Sequence, residues 1–291
     1  MIPSVPRHAI GIVQGRLLPP VGGRVQAFPG DGWEGEFALA EELGYTAMEL
    51  TIEMASFDIH PIRTPDGRAT LRRLADDHGV VLAGLCCDTV MEQPLTVTDK
   101  AARAKARDML RILLDCGAET GLPMIELPML GPNSLKRAPD PKAFADLLDE
   151  ALDHADEVGI DILVETDLDG RALARFIDLR RHPRLGINYD TGNSTWFGFD
   201  PEDEIPHYHR HIRNVHIKDC TRADYSRPLG TGETRFDAIF ALLGHTSYGG
   251  GFVIQAARQS DDVAAAGAYL DFTRDLVHRY LTAESREGVN A

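Results

Sequence analysis

Three short β-compatible runs each end on a side chain able to bind a divalent cation or move a proton. Residues 185–189, Leu-Gly-Ile-Asn-Tyr, run directly into Asp190, and Thr191-Gly192-Asn193 is expected to turn the chain there. Ile162-Leu163-Val164 ends on Glu165. Val215-His216-Ile217 carries an imidazole and is followed by Lys218 and Asp219. A carboxylate at the end of a buried strand is costly unless a cation or a hydrogen-bond network compensates it. Taken singly, each of these residues is more often a loop cap, a salt-bridge partner or a satisfied core histidine. Three of them at successive strand ends point instead to one shared metal. Carboxylate, imidazole and carbonyl donors suit Mg, Mn, Co or Zn, and no thiolate cluster demands zinc. Such an ion could hold adjacent oxygens of a sugar and stabilise an enediolate, while a carboxylate beside it moves a proton on carbon.

The elements that must position these residues are legible as an alternation. Strand patterns fall at 9–13, 47–52, 80–85, 124–127, 161–164, 185–189, 212–217 and 251–255. Between and after them lie helix patterns at 34–43, 64–78, from a cap at 98 or 99 to about 116 or 119, from a cap at 140 to an end at Gly159, and at 170–178, 236–243 and 260–280, with 203–210 helical or irregular. Gly44, Gly79 and Gly159 stand where C-caps belong, and Asp140-Pro141 opens the clearest helix. Eight uninterrupted βα repeats specify parallel units and, at 291 residues, an α/β fold of the closed (β/α)8 TIM-barrel type, one domain spanning 1–291. An open doubly wound sheet fits less well, because no G-x-G-x-x-G follows the first strand.

In such a barrel the active site lies at the C-terminal ends of the strands. The candidates there are Gln14, Arg16, Glu53, Asp88, Glu126, Glu165, Asp190, Asn193, His216, Lys218, Gln255 and Arg258. Arg16 and Arg258 could bind a phosphate or sugar hydroxyls, or form surface salt bridges. Glu126, inside an apolar strand, belongs to the site or to a buried ion pair. Lys218 and Asp219 could pair at the rim, or Lys218 could touch substrate. Gly230-Thr231-Gly232 could offer N–H groups to an anion or simply make a tight turn. The long Pro/Gly loop from Gln14 to about Gly32 has a length that often marks function.

The net charge of −15 argues against a nucleic-acid surface while leaving room for a local basic pocket. The four cysteines form no C-x-x-C pair and read as reduced and mostly buried. No run approaches ~18 apolar residues and the first residues lack a signal-like apolar segment, so the protein is expected to be soluble and cytoplasmic, with no membrane partner. The tail 284–291 is expected to fray.

Glu165 in Leu-Val-Glu-Thr, Asp190 in Tyr-Asp-Thr-Gly-Asn and His216 in Val-His-Ile-Lys-Asp, with a polar residue ending the eighth strand, resemble the xylose isomerase-like barrel superfamily. Its sugar isomerases and epimerases include pentulose-5-phosphate 3-epimerases, ketohexose 3-epimerases and hydroxypyruvate isomerases. Residues 214–236, with Pro-Leu-Gly-Thr-Gly-Glu after Val-His-Ile-Lys-Asp, and the opening Gly-Ile-Val-Gln-Gly-Arg-Leu at 11–17 carry the most specific likeness. The resemblance implies a divalent metal ion, Mn favoured, held by Glu165, Asp190, His216 and position 255. It further implies Glu165 as catalytic base, a small sugar or sugar phosphate as substrate, contacted by residues such as Arg16, Glu126, Asn193, Lys218 and Arg258, and a homodimer or homotetramer.

Position 255 departs from the pattern: the family usually has Glu, and this chain has Gln255. An amide neither takes nor gives a proton at neutral pH, although its carbonyl oxygen can still bind a metal more weakly. Two-base epimerisation then needs a substitute second base, such as Glu126 or Asp88, whereas single-base isomerisation through Glu165 does not. A lyase that starts with the same proton abstraction on a keto-sugar, and a non-catalytic sugar-binding barrel, are the alternatives. An endonuclease IV-like repair enzyme, from the same superfamily, is disfavoured by the acidic charge and the lack of a fuller His/Asp/Glu set.

Overall fold

Eight strands carry the barrel: β1 (Ile10–Val13), β2 (Ala47–Thr51), β3 (Val81–Cys86), β4 (Met124–Met129), β5 (Asp161–Thr166), β6 (Leu185–Asp190), β7 (Ile212–Ile217) and β8 (Gly251–Ile254). They pair in parallel in sequence order, and β8 returns to β1 with Ile10 opposite Phe252 and Ile12 opposite Ile254, which closes the sheet. Among the described residues ten helices surround it: α1 (Gly35–Leu43), α2 (Pro65–His78), α3 (Thr89–Glu92), α4 (Lys100–Thr120), α5 (Pro141–Val158), α6 (Gly170–Arg180), α7 (Thr191–Phe197), α8 (Pro201–Tyr208), α9 (Phe236–His245) and α10 (Asp262–Leu281). The structure, a computed structural model, describes residues 5–282; the tail expected to fray lies outside them. No described helix is long and apolar enough to cross a membrane.

Local chemistry sets the ends of these elements. The carboxylates of Asp99, Asp140, Asp169 and Asp261 accept from the third backbone N–H of α4, α5, α6 and α10, satisfying donors that a helix start leaves open. Gly44, Gly79, Gly121 and Gly159 close α1, α2, α4 and α5 in the left-handed conformation. The apolar stripes of the helices pack on the outer faces of the strands, with Phe37, Leu71, Leu113, Phe144 and Phe240 fully or almost fully buried. Inside the barrel the two ends differ. Ala9, Val13, Ala47, Ala83 and Val253 form a small apolar plug among themselves. Above it the inward side chains turn polar: Glu49, Glu126, Asn188, Asn214 and His216 are all buried.

Local structure departs from expectation at some positions and matches it at others. After Asp190 the chain does not turn but enters α7, because the Asp190 side chain accepts from Asn193 N and caps the helix. Residues 203–210, expected to be helical or irregular, hold most of α8 and a 3-10 turn at His209–His211. β4 also runs two residues further than expected, through Pro128, which pairs with Glu165 of β5.

Candidate active site

Adjacent strands β5, β6 and β7 deliver Glu165, Asp190 and His216 to one point. One ligand atom from each lies within 4.8 Å of the others, and all three residues are buried. Asp190 and His216 stand directly opposite in the β6–β7 ladder. His216 Nε2 lies 2.6 Å from Glu49 Oε2 across the barrel, so the ring is fixed with Nδ1 turned to Glu165, 3.5 Å from its Oε2, and making no hydrogen bond. Asp190 Oδ1 is held by Asn193 N at 2.7 Å, while its Oδ2 has no partner. Glu165 accepts from Asn188 Nδ2 at 2.8 Å and from Asn193 Nδ2.

These atoms fit a divalent cation. Buried polar atoms are normally hydrogen-bonded, and here an imidazole nitrogen and a carboxylate oxygen of the same cluster are not. An imidazole whose outer nitrogen is pinned by a carboxylate is also the usual form of a metal-bound histidine. The electrostatics agree. Burial opposes charge on His216, but Glu49 and Glu165 outweigh it and hold the imidazole protonated well above its usual range. A cation at Nδ1 would displace that proton. Burial, with the charge of Glu165, pushes Asp190 up to about 6 against the pull of Lys218 and His216. Burial and Glu165 push Glu126 well above the usual carboxylate range. Glu49, Glu126, Glu165 and Asp190 together bring more acid into the interior than Lys218 and His216 balance.

Above the cluster opens a cavity of about 210 Å³ whose wall includes Arg16, Gln26, Asp88, Glu126, Glu165 and Lys218. Asn193, Tyr225 and Gln255 line it as well. Lys218 Nζ donates to Asn193 Oδ1 at 3.0 Å and sits 3.4 Å over the Tyr225 ring. Burial lowers the Lys218 pKa, opposed by Asp190 and Glu165. Lys218 passes directly over Gly192, where a Cβ would lie 2.6 Å from its side chain, so this turn of α7 needs glycine. Gln255 donates to Gln26 Oε1 at 2.9 Å, which leaves its carbonyl oxygen as the acceptor. Gln26 also accepts from Arg16 Nη2 at 3.2 Å and donates to Asp88 Oδ2 at 2.8 Å. Burial, with Arg258 nearby, lowers Arg16 to about 10, still a cation at neutral pH.

Of the residues expected at the site, Glu165, Asp190 and His216 come together, and Arg16, Glu126, Asn193, Lys218 and Gln255 border the same cavity. Arg258 does not line it. Its guanidinium is used on the carbonyls of Val25, Leu18 and Gly15 and on Asp262, because the loop after β1 folds back across it. Lys218 and Asp219 point apart rather than pairing. Asp219 accepts from Gly232 N and Thr234 N, so one N–H of the Gly230–Gly232 turn already holds this chain's own carboxylate. Sequence reasoning did not place Glu49, Asn188, Gln26 or Tyr225 at the site. Glu49, a carboxylate within an apolar strand, carried the same signal as Glu126; Gln26 carried none beyond the length of its loop.

Comparison with known proteins agrees with this architecture. Residues 37–276 match the family described as xylose isomerase-like TIM barrel. L-ribulose-5-phosphate 3-epimerase UlaE of Salmonella paratyphi C is 23% identical over 257 residues, covering 85% of this chain and 90% of the relative. Among solved structures, an L-ribulose 3-epimerase superposes with a TM-score of 0.76 at 18% identity, covering 98% of both chains. D-allulose 3-epimerase from Methylomonas sp., in complex with D-allulose, gives 0.72 at 18% identity, covering 94% of this chain and 98% of the other. With its barrel closed in strand order and the family match running from α1 into α10, the chain belongs to the xylose isomerase-like TIM barrel family.

Proposed function

We propose that the protein is a divalent-metal-dependent sugar epimerase or isomerase that moves a proton on the carbon next to a carbonyl. The observation that carries this reading is the buried Glu165–Asp190–His216 cluster, with His216 Nδ1 and Asp190 Oδ2 unpartnered beneath a small cavity. Glu165, Asp190 and His216 would hold the ion, Mn favoured, and the Gln255 carbonyl oxygen would complete the set. When bound, the ion supplies Lewis-acid stabilisation for negative charge developing on the substrate oxygens. Glu165 is the base. Asn188 and Asn193 fix both of its oxygens, so it reaches the substrate without searching rotamers. Lys218, anchored on Asn193 and Tyr225, offers a donor to a substrate oxygen, and Arg16 supplies a second cation on the cavity wall. A cavity of about 210 Å³ suits a small keto-sugar, and the likeness to 3-epimerases of ribulose, ribulose phosphate and allulose supports that class.

The first test is elemental analysis of the purified protein beside a Glu165→Ala/His216→Ala variant, followed by D2O exchange on a panel of keto-sugars and their phosphates. About one divalent ion per chain, lost in the variant, with deuterium entering at the carbon beside the carbonyl, is the expected result. A wild-type protein that takes up no metal from excess Mn would end the metal-assisted reading.

A further inference from the structure

Gln255 poses a chemical problem that its surroundings answer. Inverting a stereocentre by proton transfer requires two groups that titrate, one for each face of the carbon. The amide at position 255 cannot be one of them, and its nitrogen is committed to Gln26 at 2.9 Å. Gln26 comes from the loop after β1, and its own amide nitrogen donates onward to Asp88 Oδ2 at 2.8 Å. The amide at 255 is therefore one bridging side chain away from a carboxylate.

Besides Glu165, the described carboxylates on the cavity wall are Glu126 and Asp88. Glu126 lies on β4, next to the strand that carries Glu165, and it is 1% exposed. Asp88 follows β3, two strands from β5, and is half-buried on the wall of the cavity where a substrate would lie. Its contacts suit a proton carrier. Oδ2 is oriented by Gln26, and Oδ1 faces the Cys86 thiol at 3.7 Å; no arginine or lysine neutralises it at hydrogen-bond distance among the described residues. Burial first, then the charges of Glu165 and Glu53, raise the Asp88 carboxyl to about 6 against the Gln26 hydrogen bond. Both of its protonation states are then accessible near neutral pH.

We propose that Asp88, oriented by Gln26, is the second proton-transfer residue of this barrel, in the role that Gln255 cannot fill. The inference rests on the epimerase reading above. In one direction Glu165 takes the proton from the carbon beside the carbonyl, and the C–H electron pair becomes the C=C bond of the enediolate as the carbonyl oxygen gains negative charge. Protonated Asp88 then gives its proton to the same carbon from the other face, and the carbonyl re-forms. Glu165 ends protonated and Asp88 ionised, and exchange with water resets both. The reverse direction exchanges their roles. Gln26 is a positioning residue.

The experiment follows L-ribulose, L-ribulose 5-phosphate and D-allulose in D2O by NMR with the Mn-loaded full chain, comparing wild type with Asp88→Asn, Asp88→Glu and Glu165→Gln. Wild type is expected to give the C3 epimer of at least one probe together with deuterium at C3. Asp88→Asn, which keeps an oxygen for Gln26, should still exchange the C3 hydrogen of the substrate it is given, because Glu165 can remove and return it on one face. Its formation of epimer should fall at least 100-fold, and Asp88→Glu should recover part of it. Glu165→Gln should lose that exchange. Epimer formation by Asp88→Asn at the wild-type rate, or equal loss of exchange and epimerisation with a raised KM, would overturn the assignment. So would a wild type that exchanges a proton but yields only the 1,2-isomer. A wild type that exchanges no proton on any probe would sink the parent reading, and this assignment with it.

Discussion

At the scale of single residues, the site depends on groups that never touch a substrate. Glu49 reaches across from β2 to fix His216 Nε2, and in doing so decides that Nδ1 is the nitrogen presented to Glu165. Supporting carboxylates of this kind orient a ligand and raise its basicity, and removing one typically costs about 10–100-fold in metal affinity. Glu49→Gln keeps an oxygen to accept from the ring but drops the charge. The variant should fold as wild type, bind Mn about 10–100-fold more weakly in a calorimetric titration, and regain proton-exchange activity at high Mn. Unchanged affinity would show that the Glu49 charge is irrelevant to the metal. Asp190 shows a related economy: one oxygen caps α7 through Asn193 N, and the other makes no hydrogen bond.

At the scale of elements, the loop between β1 and α1 decides the shape of the cavity. It is held from two sides. Glu36, in the first turn of α1, accepts from Gly15 N at 2.8 Å and Leu17 N at 3.0 Å, and Arg258 binds the carbonyls of Gly15, Leu18 and Val25. Gly15, at φ +87°, takes a left-handed turn in which a Cβ would overlap the Ala27 carbonyl. These contacts bring Gln26 inward over Asp88 and Gln255. Burial raises the Glu36 carboxyl to about 7 from an ordinary 4.5, against the two N–H bonds and the charges of Arg258 and Arg16. Between those values the folded protein keeps a proton that the unfolded chain has released. The contribution to stability is therefore complete below about pH 4.5 and is lost as pH rises through about 7. Glu36→Gln keeps an oxygen for both N–H groups but cannot ionise. Relative to wild type, it should gain up to about 3 kcal/mol on going from pH 4.5 to pH 8 in urea unfolding. Parallel pH–stability curves for the two proteins would contradict this account of the loop.

At the scale of the whole molecule, the barrel sets an apolar plug at one end of its interior against a cluster of buried acids at the other. Unbalanced buried acids weaken the folded state, and a ligand that binds only that state strengthens it. Mn at about 100 times its Kd should add about 2.7 kcal/mol to the folding free energy, seen as a higher Tm than in EDTA. The Glu165→Ala/His216→Ala variant should show no such shift. Equal shifts in both proteins would place the stabilising ion elsewhere on this chain of net charge −15.

The closed barrel was legible because its causes are local: alternating patterns of period two and 3.6, aspartates at helix starts and glycines at helix ends all act within a few residues of one another. Strand-end position likewise marked Glu165, Asp190 and His216, since a parallel βα unit sends its last strand residues to one face. Which other residues meet them was decided only by closure. Glu49 lies 167 positions from His216, and Gln26 lies 229 from Gln255; no spacing along the chain encodes either contact. The same holds for Arg258, which stands at the expected strand end but is taken by a loop 233 residues away, and for Asp219, whose carboxylate fills a turn that looked ready for an outside anion. Types and periods fix the elements, because propensity and burial act locally. Partners are fixed only when the barrel closes and each buried polar atom must find, in three dimensions, the group that satisfies it.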